Sequence, residues 1–316
     1  MKKVVALIMV MLLVVLAGCS SAGSKAENDE IVIGASLLTQ AHPFQVAIKE
    51  AIEKESANQG VKVDVSIADQ DLNRQIAAIE DFITKQVDAI ILVPVDSDGI
   101  MGAVNKAKEA NIPVITVDIK ANGVEVDSHI ATDNYSGGLI AAEAMAKYLN
   151  GEGEVGLITY PEVQSVRDRI AGFKDNAVNH PGLNIVTELP GRTREEAKTA
   201  SEDMLTANPN LKGIFGFGDD MALAATAAIS ERGSDAVVIG FDGLEEAQNS
   251  VMEENAFKAV VVQFPDKMGE VAVQNAVKVI NGETVEKEMP ITPGLYIQGE
   301  GFVDVKVEDG KVTIAE

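Results

Sequence analysis

From Ile31 onward, short apolar runs alternate with segments whose apolar residues recur at helical spacing. The run Ala89–Pro94 is continuously apolar, as expected of a strand that is buried on both faces of a sheet. Phe44–Gln59, in contrast, has the period of a helix and is followed by Gly60. Repeated strand–helix units of this kind predict parallel sheets covered by helices. The pattern starts again near residue 132, so we predict an α/β chain with two serial halves of similar size.

The first nineteen residues have the pattern of a secretory signal. Lys2 and Lys3 precede an uncharged, mostly aliphatic run from Val4 to Ala17. That run is too short for a transmembrane helix, which needs about 20 residues. We therefore predict that residues 1–18 are a signal peptide that is removed from the mature protein.

The end of this run, Leu16-Ala17-Gly18-Cys19, resembles the lipobox of bacterial lipoproteins, in which the cysteine is lipid-modified. The resemblance implies that Cys19 anchors the protein to the outer face of the cytoplasmic membrane, facing the periplasm or the cell surface. Residues 20–29 are small and polar, which predicts a flexible tether. The alternative is that Cys19 is an incidental small hydrophobic residue in an ordinary signal.

Composition excludes several kinds of partner. The chain has 316 residues with 49 acidic and 26 basic side chains, a formal net charge of -23, and such a charge repels nucleic acid. One cysteine permits neither an intrachain disulfide nor a thiolate zinc site. Three histidines also disfavour a histidine-rich metal centre. We predict no cofactor and no metal.

No motif places a nucleophile beside a base. Residues 151–156 read GEGEVG, a formal G-x-G-x-x-G, but they precede a predicted strand and do not open a helix after one. Two glutamates would also face a bound pyrophosphate, so we interpret the segment as a turn. P-loop, G-x-S-x-G and H-E-x-x-H patterns do not occur in the sequence. We therefore predict a binding protein; the enzyme alternative is a secreted lipoprotein hydrolase.

Polar and aromatic side chains recur at the carboxyl ends of the predicted strands, where open α/β sheets bind ligands. They are the loop from Leu37 to Phe44, Asp118, the pair Arg167 and Arg169, Asp242 and Gln263. Carboxylates and amides bond vicinal hydroxyls, arginine donates a fork of hydrogen bonds, and an aromatic ring covers a C–H face. This chemistry suits a polyol. The alternative for each position is a cap of a helix or turn.

Several segments together resemble the ribose-binding family, the type I periplasmic solute receptors of ABC importers. They include Ala110–Asp118, Ser128–Asn134, Leu205–Pro209, Asp220–Leu223, Val238–Gly243 and Gln263–Asp266. The resemblance implies two doubly wound parallel-sheet lobes joined by a three-strand hinge near Thr132, Gln263 and Thr292. It implies an N-terminal lobe of residues 30–131 plus 264–292 and a C-terminal lobe of residues 132–263 plus 293–316.

The resemblance also implies a set of ligand positions. They fall on His42, Phe44, Gln45, Asp118, Thr132, Arg167, Arg192, Gly218, Asp242 and Gln263. At several of these positions the chain departs from the ribose receptors: His42 replaces an Asn, Gln45 a Phe, Arg192 an aromatic residue and Gly218 an Asn. Ile119 also stands where an Arg follows the Asp. Each unmatched buried hydroxyl would cost about 1–3 kcal/mol, so we do not expect ribose itself to be the ligand. Arg192 either contacts the ligand or pairs with a surface carboxylate.

The function that follows from the resemblance is capture of a monosaccharide or related small polyol between the lobes and its delivery to ABC permease subunits. The expected partners are the permease and the membrane reached through the lipid anchor; we expect no nucleic acid partner, and we expect a monomer. The alternative is a sensor that presents a sugar or furanose-like signal to a chemoreceptor or histidine kinase.

Overall fold

The computed structural model describes residues 30–315, and this part of the chain builds two central sheets with helices packed around them. The strands are β1 Val32–Leu37, β2 Lys62–Ile67, β3 Ala89–Leu92, β4 Val114–Val117, β5 Ser128–Thr132, β6 Glu152–Thr159, β7 Gly182–Pro190, β8 Leu211–Gly216, β9 Val237–Asp242, β10 Phe257–Val262, β11 Glu288–Ile291, β12 Gly294–Ile297, β13 Gly301–Val303, β14 Val305–Glu308 and β15 Lys311–Ile314. The helices are α1 Pro43–Gln59, α2 Leu72–Lys85, α3 Met101–Glu109, α4 Asn134–Leu149, α5 Gln164–Ala177, α6 Arg194–Ala207, α7 Asp219–Arg232, α8 Glu245–Met252 and α9 Pro265–Ile280.

The two sheets repeat one topology. The first has the order β11-β5-β4-β3-β1-β2 with all pairs parallel. The second has the order β13-β12-β10-β9-β8-β6-β7, in which only β12 and β13 pair antiparallel with their neighbours. Within each half the strand order is second, first, third, fourth, fifth, a doubly wound arrangement with its switch point beside the first strand. The predicted α/β class with two parallel-sheet lobes is confirmed.

The chain crosses between the sheets three times. It leaves the first sheet after β5, returns to it after β10 to form β11, and enters the second sheet again at β12. Helix α9 packs with the first sheet's helix α1, where a Cβ on Gly269 would lie 2.7 Å from the Ile48 carbonyl oxygen. Each lobe therefore contains segments that are far apart in the sequence.

Local sequence explains where several helices begin. Asp71 caps α2, since its side chain accepts hydrogen bonds from the amides of Asn73 and Arg74. Helix α1 begins at Pro43, and the Nδ1 atom of His42 accepts a hydrogen bond from the Phe44 amide at 3.3 Å. His42 therefore caps helix α1, which is the alternative to ligand binding that the sequence allowed for this position.

Three predictions of local structure need correction. The GEGEVG segment is not a turn, because residues 152–156 are the first part of β6 and pair with β7 and β8. The hairpin around Asp309-Gly310 forms, but β14 and β15 make a separate two-stranded sheet and do not extend the edge of a main sheet. Helix α8 was not predicted; its eight residues are too few to show a clear helical period.

The predicted signal peptide, the lipidated Cys19 and the tether lie outside the described residues. Within residues 30–315, no helix combines the length and the apolar character that a membrane span requires.

Candidate functional site

The residues predicted to bind ligand lie where strands of both sheets end or where the next helix begins. They are His42, Phe44 and Gln45 at the start of α1, Asp118 after β4, Thr132 at the end of β5, Arg167 in α5, Arg192 between β7 and α6, Gly218 before α7, Asp242 at the end of β9 and Gln263 after β10. In a parallel sheet these ends share one edge, so each lobe presents its polar residues on one side.

On the first lobe, Asp118 is the central polar residue. Its backbone is left-handed, with φ of +63°, an unusual conformation for a residue other than glycine. The Nε2 atom of Gln45 donates to Asp118 Oδ2 at 2.9 Å. Burial raises the pKa of Asp118 to about 6, although the charge of Arg169 and the Gln45 hydrogen bond act in the opposite direction. At neutral pH the group is therefore an anion with few donors around it, and ligand hydroxyls can supply more.

On the second lobe, Asp242 has a different environment. Its φ is +103°, and its Oδ1 atom accepts from Gln263 Nε2 at 2.6 Å and from Arg169 Nη1 at 3.2 Å. Its Oδ2 atom has a longer contact, 3.4 Å, with the Asp219 amide. A Cβ on Gly218 would lie 3.2 Å from that oxygen, so the glycine leaves space beside it. One oxygen of Asp242 is thus held by two side-chain donors, and the other has only the longer contact with the Asp219 amide.

Asp219 supports the loop that follows β9. Its carboxylate accepts hydrogen bonds from the amides of Gly243 and Leu244 at 3.2 and 2.7 Å, and the residue is buried. Burial and the nearby charge of Asp242 hold the pKa of Asp219 well above its usual range. These contacts hold the backbone next to Asp242.

Thr132 and Gln263 lie at two of the three crossings between the sheets. The hydroxyl of Thr132 donates to Gln263 Oε1 at 2.6 Å, and Gln263 Nε2 donates in turn to Asp242. Both residues are buried. Asn134 Nδ2 donates to the Thr132 carbonyl at 3.0 Å. The crossing strands are therefore connected to the carboxylate of the second lobe by an unbroken series of hydrogen bonds.

Arg169 is the residue that sequence reasoning missed. It was noted beside Arg167 but was not given a role, yet its side chain is 7% exposed and it bonds Asp242. Its position gave a usable signal, since it shares the buried face of α5 with Val166, Ile170 and Phe173 at helical spacing. A charged residue on an apolar helix face requires a buried partner.

The two other arginines of interest are exposed, and Arg167 lines the cavity between the lobes. The guanidinium of Arg167 donates to the Pro161 carbonyl and to the side chain of Gln164, the first residue of α5. Arg192 is also exposed, and it forms an ion pair with Glu162 at 2.7 Å and lies over the ring of Tyr160. Arg192 had two predicted roles, a ligand contact or an ion pair with a surface carboxylate, and in the structure it forms the ion pair. Phe44 is buried, with 5% of its surface exposed.

A cavity of about 670 Å³ lies between the two lobes. It is lined by three of the predicted ligand residues, Asp118, Thr132 and Arg167, together with Asn134, Tyr160 and His129, so polar groups of both lobes face it. Burial lowers the pKa of His129 to about 4, and its Nδ1 atom lies 2.9 Å from the hydroxyl of Thr116; the ring is neutral at physiological pH. The volume falls within the range of small-molecule sites. Among residues 30–315, no cluster of three histidine, cysteine or acidic side chains could hold a metal ion.

Two parallel-sheet lobes, three crossings and a polar cavity between the lobes define the class of two-lobed ligand-binding proteins. A family model described as periplasmic binding protein domain matches residues 33–284, and this chain belongs to that family. The match covers both lobes.

Relatives and solved structures agree with the family. The ribose import binding protein of Bacillus subtilis (strain 168) is 34% identical over 296 residues, which is 91% of this chain and 96% of that protein. An ABC transporter solute-binding protein of Actinobacillus succinogenes with bound D-allose has a TM-score of 0.79 at 26% identity, covering 84% of this chain and 97% of that one. A solute-binding protein of Bacillus halodurans with bound myo-inositol has a TM-score of 0.78 at 28% identity, covering 86% and 96%.

Proposed function

We propose that this chain is the extracytoplasmic binding protein of an ABC importer and that it captures one neutral monosaccharide or small polyol between its lobes. The observation that supports this most is the pair Asp118 and Asp242. Each ends a strand of a different lobe, and each keeps an oxygen with no short hydrogen bond among the described residues. Two such carboxylates suit a ligand that offers hydroxyl donors on both sides.

The ligand contacts follow from the donors and acceptors at the strand ends. The Oδ1 atom of Asp118 and the Oδ2 atom of Asp242 accept from ligand hydroxyls, and the exposed guanidinium of Arg167 donates to ring or hydroxyl oxygens. His42, Phe44, Gln45, Thr132, Gly218 and Gln263 complete the proposed set, with Arg192 at its margin. An anionic ligand is disfavoured, because it would be repelled by both carboxylates.

Binding closes the cleft about the three crossings. A ligand that contacts Asp118 on one lobe and Asp242 on the other binds the closed form better than the open form, so it shifts the population toward closure. The closed form is the one presented to the permease. In this proposal the N-terminal lobe comprises residues 30–131 plus 264–292 and the C-terminal lobe residues 132–263 plus 293–316.

Transport is favoured over sensing, because the ribose import binding proteins of Bacillus subtilis and Escherichia coli and a D-apiose import binding protein of Actinobacillus succinogenes are related to this chain. The bound molecules of the structural neighbours include D-allose, myo-inositol and glycerol, which supports a polyol class and not one particular sugar. We further propose a monomer that is anchored through lipidated Cys19 and has no catalytic activity.

The test is a thermal-shift screen of the purified protein against D-ribose, D-allose, L-arabinose, D-arabinose, D-tagatose, myo-inositol and glycerol. A ligand that binds the folded state alone raises the melting temperature by mass action, by about 2.7 kcal/mol of added stability at 100 times Kd. We expect at least one neutral member to raise it and D-ribose 5-phosphate to leave it unchanged.

The matched control is Asp235→Asn, which neutralises an exposed carboxylate of the same lobe. This variant should respond as the unaltered protein does, whereas Asp242→Asn should lose the response. A panel with no response at millimolar concentration, or a response to the phosphate alone, would contradict the proposed ligand class.

A further inference from the structure

An asparagine that is followed by glycine can react with the backbone of its own chain. Glycine has no Cβ atom to shield its amide nitrogen, so that nitrogen can approach the side-chain carbonyl carbon of the asparagine before it. Asparagine is accordingly among the residues that limit the chemical lifetime of proteins. The sequence contains three such pairs, Asn122-Gly123, Asn150-Gly151 and Asn281-Gly282. Their local chemistry is the same, so the fold decides which of them reacts.

Two of the pairs are fixed at the ends of helices. Asn150-Gly151 ends α4, and its glycine amide donates to the Ala146 carbonyl at 2.8 Å. Asn281-Gly282 ends α9, and its glycine amide donates to the Val279 carbonyl at 2.9 Å. In both pairs the nitrogen that would react is held by a carbonyl of the helix end, and that hydrogen bond must break before the nitrogen can attack.

Asn122-Gly123 has a different environment. The pair forms a turn in the connection between β4 and β5, residues 118–127. Gly123 is exposed, and its amide has no hydrogen-bond acceptor among the residues that the structure describes. Its φ is +69°, a left-handed conformation that glycine adopts without strain. No hydrogen bond therefore protects this nitrogen from losing its proton to solvent and attacking the side chain of Asn122.

We propose that Asn122-Gly123 is a site of spontaneous deamidation, at which the folded protein converts Asn122 to aspartate and isoaspartate. The deprotonated amide nitrogen of Gly123 attacks Cγ of Asn122. The new C–N bond closes a cyclic imide, and the side-chain nitrogen takes up a proton and leaves as ammonia. Water then opens the imide at either carbonyl. The sum is one water consumed and one ammonia released, and no atom changes its oxidation state.

The position of Asn122 gives the reaction a consequence for the cleft, since this residue lines the cavity between the lobes. Its Nδ2 atom donates to Asp98 Oδ1 at 3.0 Å, and its amide donates to the Ser97 carbonyl at 2.7 Å. These hydrogen bonds join the loop after β3 to the loop that begins with Asp118. Deamidation replaces the first by two facing carboxylates, and isoaspartate adds a main-chain CH2 group that displaces the second. The reaction should therefore loosen the loop of Asp118.

The first experiment is peptide mapping of the purified protein after several weeks at 37 °C and pH 7.5. Trypsin separates the three pairs into residues 121–147, 148–167 and 279–287, and mass spectrometry follows the replacement of NH2 by OH in each. We expect conversion at Asn122 to be at least about fivefold faster than at Asn150 or Asn281, because its glycine amide needs no local opening. In guanidinium chloride, where the fold is absent, the three pairs should react at similar rates.

Two results would overturn the proposal. One is a rate in the folded protein that is no higher at Asn122 than at Asn150 and Asn281. The other is the same ranking in guanidinium chloride, since the preference would then come from neighbouring residues and not from the fold. Asn122→Gln is the matched variant: glutamine keeps the carboxamide but must close a larger and less favourable ring. Position 122 of this variant should stay unconverted over the same period.

The second experiment measures what the product does to the cleft, and this part rests on the proposed function. Asn122→Asp reproduces the aspartate product. Calorimetry with the panel sugar that gives the largest thermal shift should show binding weaker by about threefold or more, because the carboxylate repels Asp98. Protein kept for several weeks should lose affinity in proportion to its converted fraction, whereas Asn122→Gln should keep its starting affinity.

Equal affinities of Asn122→Asp and the unaltered protein would overturn the consequence for the cleft. If no panel sugar binds, the proposed function fails, while the peptide map still decides whether Asn122 is the reactive site. The two failures are therefore distinguishable, because deamidation needs only water and the folded chain.

Discussion

The two carboxylates of the cleft end equivalent strands of the two lobes, yet the protein treats them differently. Asp118 follows β4 and receives one side-chain hydrogen bond, from Gln45. Asp242 ends β9, the fourth strand of its own half, and receives hydrogen bonds from Gln263 and Arg169. Asp242 is consequently part of the fold, whereas Asp118 is a charge that the fold accommodates at a cost. The lobes repeat one topology but not one energetic role.

The largest expected effect concerns Asp242. Asp242→Asn leaves the buried Arg169 without its ion partner, and breaking such a pair costs about 3 kcal/mol or more. We expect the free energy of unfolding in urea to fall by this amount and the affinity for the best panel sugar to fall at least 100-fold. Asp235→Asn should change stability by less than about 0.5 kcal/mol. If the unfolding curve of Asp242→Asn coincides with that of Asp235→Asn, Asp242 does not stabilise the fold, and the difference between Asp242 and Asp118 disappears.

Asp118→Asn should have the opposite effect on stability. The folded pKa, about 6, exceeds the ordinary value of 3.8, so the contribution of this carboxyl is fully present below pH 3.8 and is lost as the pH rises through 6. The uncharged amide of asparagine avoids the cost of burying a charge. The free energy of unfolding of the variant should therefore exceed that of the original protein by up to about 3 kcal/mol at pH 7.5. The gain should shrink toward pH 4.5, and ligand affinity should still fall. Urea unfolding at both pH values measures this, and a variant that is less stable at pH 7.5 would contradict it.

Gln45→Leu should have the smallest effect. The substitution removes the side-chain donor to Asp118 Oδ2, which is worth about 1 kcal/mol, and it should raise the pKa of Asp118 further. The amide oxygen of Gln45 is itself buried without a partner, so the net loss at pH 7.5 should be 1 kcal/mol or less. In the Asp118→Asn background the destabilisation should disappear, and a loss of equal size in both backgrounds would show that Gln45 does not act through Asp118.

Much of the fold was predictable because each signal was local. The continuous apolar run at β3, the helical period of α1 and the Asp309-Gly310 turn all depend on neighbouring residues. The start of β6 was missed, because its pairing with β7 and β8 outweighs the turn tendency of its glycines. The site was predictable at the level of strand ends, where Asp118 and Asp242 both stood out.

By itself the sequence determined the strand–helix order, the α/β class with parallel sheets and the residues at the strand ends, since these depend on periodicity and on the direction of parallel strands. Helical spacing places Arg169 on the apolar face of α5, but only the tertiary structure decided which groups its charge meets. Arg167 and Arg169 are two residues apart on one helix, about 200° around its axis, so one meets solvent and the other meets Asp242. The burial of that charge depends on the close approach of α4 and α5, where Gly138 meets Arg169 and Gly172 meets Tyr135, residues that are 31 and 37 positions apart.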